Sequence, residues 1–164
     1  LEVFVLRPCV VAGPKAHALA DAMPWKRLPG PVRAVARAVP LLKPVVPDPG
    51  FPLQLVHHDD VATAIALAAT APVPPGAYNI AAGGEVTITD VANALGGRGV
   101  RVPASAASAA SAAISHLPFV PSLVEWLHVA RTSVVMDTRK AQRELGWHPT
   151  HSSAETLAAL AQAV

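Results

Sequence analysis

An α/β fold is the class this 164-residue sequence predicts, and three observations point to it. Short β-branched segments alternate with segments carrying an apolar stripe at helical spacing. One of them, Leu53 to Thr70, reads as strand, acidic turn and helix, and a further strand follows at Ala77 to Ala81. The core is drawn from small residues: hydrophobic residues make up 52% of the chain, with 33 alanines and 22 valines against seven aromatics. Such a composition is globular, and the length suits one compact domain rather than two full ones.

The elements follow in order. Glu2 to Arg7 is β-branched and aromatic, runs on through Cys9 to Val11, and stops at Gly13-Pro14, as a buried strand entering a loop does. Pro31 to Val39 predicts a short helix, proline at its first position and Val32, Val35, Ala36 and Val39 on one face. Leu41 to Pro52 is proline-punctuated loop with an extended Val45-Val46. Leu53 to Val56 is a second strand, after which Asp59 and Asp60 supply cap and dipole chemistry for a helix from Val61 to about Thr70. After the Ala77 to Ala81 strand comes a short strand at Val86 to Ile88, then a helix from Asp90 to Leu95 capped by Thr89 and ended by Gly96-Gly97. Residues 104–113 are low-complexity and read as a small-residue helix or a linker. Pro121 to Val129 predicts a helix, Ser133 to Met136 a strand, and Thr138 to Leu145 a helix closed by Gly146. The Ser152-x-x-Glu155 pattern is a capping box opening a last helix, Ala154 to Ala163.

The formal charge of +2 makes neither nucleic acid nor an anionic membrane a required partner. Seven basic residues against Glu2 and Asp21 in the first 43 positions read as a solvated face, with an anion-facing lid as the sharper alternative. Leu1 to Leu6 lacks the basic flank and length of a signal peptide, and proline interrupts every long charge-free stretch, so a bilayer-spanning helix is not expected. One cysteine makes no internal disulfide and fits a reducing compartment, which gives a cytoplasmic expectation.

Phosphate-binding glycine loops of the GxGxxG and GxxxxGK[ST] types are absent, as are GxSxG and HExxH. Tyr78 has Ala82 four residues on, so a Tyr-x-x-x-Lys pair is absent as well. His57-His58-Asp59-Asp60 is the densest polar cluster, and His148 and His151 add to it. Neighbours leaving a strand point to opposite faces, so at most alternate members would converge on an ion. A helix-cap network is therefore the reading preferred over a metal site. Cys9, following proline, reads as packing rather than a nucleophile.

Four segments together resemble the carboxyl-terminal half of an extended short-chain dehydrogenase/reductase, the NAD-dependent epimerase/dehydratase family. They are Leu6-Arg7-Pro8-Cys9-Val10-Val11-Ala12-Gly13-Pro14, Leu55-Val56-His57-His58-Asp59-Asp60-Val61-Ala62, Tyr78-Asn79-Ile80, and Asp137 to Ala141 continuing through Glu144-Leu145-Gly146-Trp147-x-Pro149. Each is weak alone; four in the family's order cover essentially the whole chain.

The resemblance implies the carboxyl-terminal part of a Rossmann-type parallel sheet plus a smaller mixed α/β substrate-binding domain. Residues 1–14 would be a late Rossmann strand and cofactor-side loop, 15–52 a substrate-domain segment, 53–81 a strand-helix-strand returning to the sheet, and 82–164 a carboxyl-terminal substrate-binding segment. It places Pro8, Cys9, Val10 and Val11 beside the nicotinamide of NAD or NADP, largely through backbone groups, and makes His57 and Asp60 a structural turn and cap. Ala12 stands where many members have tyrosine. Leu53 stands about where nucleotide-sugar epimerases place a diphosphate-binding arginine, a substrate role for which Arg131 is the substitute.

The glycine-rich loop and the Tyr/Lys pair would lie in a missing amino-terminal half, so no catalytic residue is assigned here. The implied function is the substrate-binding portion of an NAD(P)-dependent epimerase/dehydratase working by hydride transfer on a nucleotide-sugar or other hydroxyl or carbonyl substrate, an oxidoreductase or isomerase. Alternatives are a 3β-hydroxysteroid-dehydrogenase-like reductase, favoured by Leu53, and a truncated, non-catalytic binding module. The partners expected are a small-molecule substrate, the missing half and a second copy in a homodimer, with no metal ion.

Overall fold

The computed structural model describes residues 3–23, 25, 29–31, 34, 39, 43–103 and 135–164. Its mixed α/β architecture consists of two compact units, and every sheet pairing between its named strands is parallel.

The first unit comprises Leu1–Leu19, Gln54–Val86 and Val135–Val164. The expected first strand is divided. β1 (Phe4–Pro8) pairs in parallel with β5 (Gly76–Ile80), whereas β2 (Val10–Ala12) pairs in parallel with β4 (Leu55–His57). The change of partner falls at Cys9, directly after Pro8, whose nitrogen has no proton to give a ladder. The Cys9 N–H donates to Ile80 O at 3.0 Å and the Ala82 N–H to Leu55 O at 3.1 Å, so β4 and β5 are tied where the first strand switches.

Between β4 and β5 runs α2 (His58–Thr70), the crossover that parallel strands require. α1 (Ala18–Asp21) is a single turn. Towards the carboxyl end are α4 (Arg139–Glu144) and α5 (Ser153–Gln162), the latter with the Ser152/Glu155 capping box closed in both directions. Val56, Ala64, Tyr78, Ile80, Ala141, Leu145 and Trp147 form the buried core, with Phe4, Leu6 and Cys9 packed against it.

The second unit comprises Ala20–Leu53 and Thr87–Val134. Here β3 (Val45–Asp48) pairs with β6 (Arg98–Arg101), and α3 (Ile88–Ala94) lies between them in sequence. Asp48 is fully buried and accepts from Gly50 N at 2.7 Å and from the Thr89 hydroxyl at 2.6 Å. The Trp25 indole N–H donates to Leu95 O at 2.9 Å.

Several boundaries differ from the sequence expectation. α3 is capped by Thr87, not Thr89, because Asp90 reaches back to the Thr87 N–H at 2.8 Å while the Thr89 hydroxyl is already engaged by Asp48. β6 follows Gly96-Gly97 where no strand is expected, and no strand spans Val86 to Ile88. Val135 and Met136 are not in a strand; the Met136 N–H instead donates to Gln54 Oε1 at 2.7 Å.

The expected segment 82–164 is split: residues 135–164 fold with the first unit, because Ala141, Leu145 and Trp147 belong to its core and the Ser153 hydroxyl serves Leu55 of β4. The expected helices at 104–113 and 121–129, and most of that at 31–39, lie outside the described residues.

Candidate functional site

The resembling segments meet in the first unit around the start of α2. His57 is the last residue of β4, is paired in register with Ala12, and is also the N-cap of α2: its Nδ1 accepts the Asp59 N–H at 3.3 Å. The helix therefore begins three residues before the expected Val61. Cap chemistry rests on His57 rather than on Asp59 and Asp60, because an imidazole with a bare Nδ1 fills the acceptor role usual for Asp or Asn. With Nδ1 accepting, the proton of neutral His57 sits on Nε2.

Three imidazoles share this corner. The His57 ring stacks on His151 with centroids 4.1 Å apart and tilts against His58 at 4.3 Å. Burial, reinforced by the neighbouring His151 and His58, holds the His57 pKa below its ordinary value, against the opposing pull of Asp59 and Asp60. Gly13 closes the corner with φ +135°: a Cβ there would lie 2.6 Å from His58 Nδ1 and 2.9 Å from His57 Nε2. His58 Nδ1 itself is buried and has no hydrogen-bond partner among the described residues.

Asp60 is 2% exposed and points away from its own helix start. One carboxylate oxygen accepts the Thr150 N–H at 2.9 Å and the Thr150 hydroxyl at 2.6 Å; the other accepts the His151 N–H at 3.2 Å and faces His151 Nδ1 at 3.1 Å. The Asp60 carbonyl accepts the Trp147 indole N–H at 2.8 Å. Burial pushes the Asp60 pKa upward, but the bonds from Thr150 and His151 outweigh it and the net direction is down. Asp60 is thus a pin for the 147–151 turn. Tyr78 and Asn79 make a similar joint: Lys140 Nζ lies 4.5 Å from the Tyr78 ring centroid, and the Asn79 side chain donates to Asp137 O at 3.1 Å.

Of the cofactor-side positions, Pro8 ends β1, Cys9 lies at the change of partner, and Val10 and Val11 face Leu55 and Val56 in register. Burial pushes the Cys9 thiol up to about 11, more than backbone hydrogen bonds lower it. At pH 7.5 Cys9 in the folded chain is expected to react with iodoacetamide on the order of 100-fold more slowly than in the unfolded chain, since the thiolate is the nucleophile. A rate matching that of unfolded protein would show an activated thiol instead.

Leu53 is half-buried and falls in the second unit; Arg131 lies outside the described residues. The expectation that only alternate members of the His-Asp cluster can converge is corrected. His58 opens a helix rather than extending the strand, and His57, His58 and Asp59 each bring one donor atom within 4.8 Å of the others. Thr150 carries no signal in the sequence, while Gly13 and His151 are visible there only as a strand stop and as a member of the polar cluster. The signal for Gly13 was its place opposite a His-His pair, legible only with the strand register.

No family model matches the chain, and no match was found among curated proteins. Solved structures do match. UDP-glucose 4-epimerase from Thermotoga maritima, with UDP-glucose, is 22% identical with a TM-score of 0.56 over 99% of this chain and 46% of its own. UDP-glucuronic acid 4-epimerase from Bacillus cereus, with UDP-glucuronic acid and NAD, gives 18% and 0.59 over 99% and 45%. The Bordetella bronchiseptica enzyme WbmG, with NAD and UDP, gives 19% and 0.56 over 98% and 42%. The chain spans less than half the length of these proteins, and what it shares with them is the fold, a Rossmann-like α/β arrangement of parallel strands and crossover helix.

Proposed function

We propose that the chain is the carboxyl-terminal, substrate-side portion of an NAD(P)-dependent epimerase/dehydratase acting by hydride transfer on a nucleotide-sugar. The observation that carries this reading is the match of nearly the whole chain to under half of several UDP-sugar 4-epimerases. The missing amino-terminal half would bring the cofactor phosphate site and the proton-transferring residues. An intact protein of this type would work in the cytoplasm, and a second copy in a homodimer is a candidate partner.

NAD(P), when bound, supplies the hydride acceptor and donor. Pro8, Cys9, Val10 and Val11 fit the nicotinamide side of such a group, because they offer no ionised side chain: the thiol stays protonated and the other three are apolar. Their work is to present backbone and apolar surface to the nicotinamide ring and to exclude water from it. His57 and Asp60 are positioning residues, holding β4, the Gly13 loop and the 147–151 turn in fixed relation. Arg131 is the proposed contact to the substrate diphosphate, with Leu53 leaving that role unfilled.

The test joins the coding sequence upstream of Leu1 to this chain and assays both forms with NAD+, NADP+ and a panel of UDP- and dTDP-sugars. Epimerised or dehydrated sugar from the extended protein, and none from the 164 residues alone, is the expected result. Turnover by the short chain would misplace the active site. An upstream sequence without a glycine-rich strand-turn-helix would favour a non-catalytic binding module.

A further inference from the structure

We propose that His57, His58 and Asp59 form a binding site for a divalent first-row transition-metal ion of zinc-like preference. One donor atom from each residue lies within 4.8 Å of the other two. His57 Nδ1 is 3.5 Å from Asp59 Oδ2, and His58 Nε2 is 3.5 Å from Asp59 Oδ1. Donors bound tetrahedrally at about 2.1 Å stand about 3.4 Å apart; each imidazole already stands at that spacing from its own Asp59 oxygen, and an ion entering the set draws the two rings onto one carboxylate by side-chain rotation. Two imidazoles and one carboxylate select zinc, cobalt or nickel over calcium or magnesium, which favour oxygen-only shells.

Both imidazoles are already ordered. His57 is wedged between the His151 and His58 rings, and His58 backs onto Gly13, where no side chain competes for the space. Ordered donors lose little conformational freedom on binding. Asp59 is 68% exposed and forms the open side, by which an ion arrives and on which water completes its shell.

Three terms oppose binding and set its strength. The positive end of α2 repels a cation, and the carboxylates of Asp59 and Asp60 in the same turn offset it. The 3.3 Å cap bond from the Asp59 N–H to His57 Nδ1 is exchanged for the metal. Ligation through His58 Nε2 places that ring's proton on Nδ1, which has no partner among the described residues, so the site is weaker by about 10- to 100-fold than one whose outer nitrogen is paired. The site does not depend on the proposed hydride-transfer function.

Tag-free chain, stripped with EDTA, is titrated with Co2+ and followed by its visible d–d absorption, then back-titrated with Zn2+. The expected result is one equivalent of Co2+, displaced by Zn2+, with binding weakened at least about 10-fold in His58→Ala and in Asp59→Asn and unchanged in His148→Ala. Asp59 is exposed, so Asp59→Asn keeps the fold by circular dichroism and carries the test if His58→Ala unfolds. Absence of a saturable one-equivalent signal, its survival in Asp59→Asn, or its equal loss in His148→Ala overturns the site.

Discussion

Replacing Asp60 with alanine is expected to destabilise the chain by about 2–4 kcal/mol, from the loss of several hydrogen bonds to a buried carboxylate whose donors are partly open to water. The carboxylate satisfies the Thr150 N–H and hydroxyl and the His151 N–H, and faces the His151 ring. Without it, the Thr150 and His151 donors lose a charged acceptor, and water, which reaches this exposed turn, recovers part of the loss. The Asp60→Asn variant keeps one acceptor oxygen at this position, so a smaller loss is expected. Urea unfolding with EDTA present measures both; losses below about 1 kcal/mol for Asp60→Ala would mean the 147–151 turn is held by other contacts.

The same residue sets an acid limb. Its folded pKa lies below the ordinary carboxylate value. The stability it contributes is therefore complete above the unfolded value, about pH 4, and is lost as pH falls through the folded value. Asp60→Asn should flatten stability against pH in that window. An unchanged acid limb would assign the titration elsewhere.

Gly13→Ala is the second large effect, expected at about 2–5 kcal/mol from two sources. At φ +135° an L-residue is strained whatever the space around it, and the added Cβ would meet two imidazole nitrogens at 2.6 and 2.9 Å. His57 has little room to retreat, since the His151 ring stacks on it. The double variant Gly13→Ala/His58→Ala separates the two sources. Recovery of about half the loss is expected, because the second substitution relieves the clash with His58 and leaves the backbone strain. No recovery would place the whole cost in φ.

Local chemistry made much of this fold legible. The prolines at 72, 74 and 75, the Gly83-Gly84 and Gly96-Gly97 breaks and the Ser152-x-x-Glu155 pattern mark element ends, and the helices at 58–70, 139–144 and 153–162 lie within a few residues of their expected bounds. Errors arose where a distant residue competed for a local group. Thr89 looks like a cap until Asp48, 41 positions away, takes its hydroxyl. Asp60 looks like a helix-start acid until Thr150 and His151, about 90 positions away, claim its carboxylate. The division of the first strand at Cys9 was half legible, since Pro8 marks the break but cannot say that the partner changes from β5 to β4.

By itself the sequence determined the α/β class and the bounds of the main helices to within a few residues, because propensity, capping and proline effects act locally. Tertiary structure alone decided that residues 135–164 return to the first unit, and that Gly13, His57, His58 and His151 share one corner. The reason is that parallel pairing and buried polar satisfaction join residues by register across the chain, and register is fixed by the packing of the whole unit rather than by any segment within it.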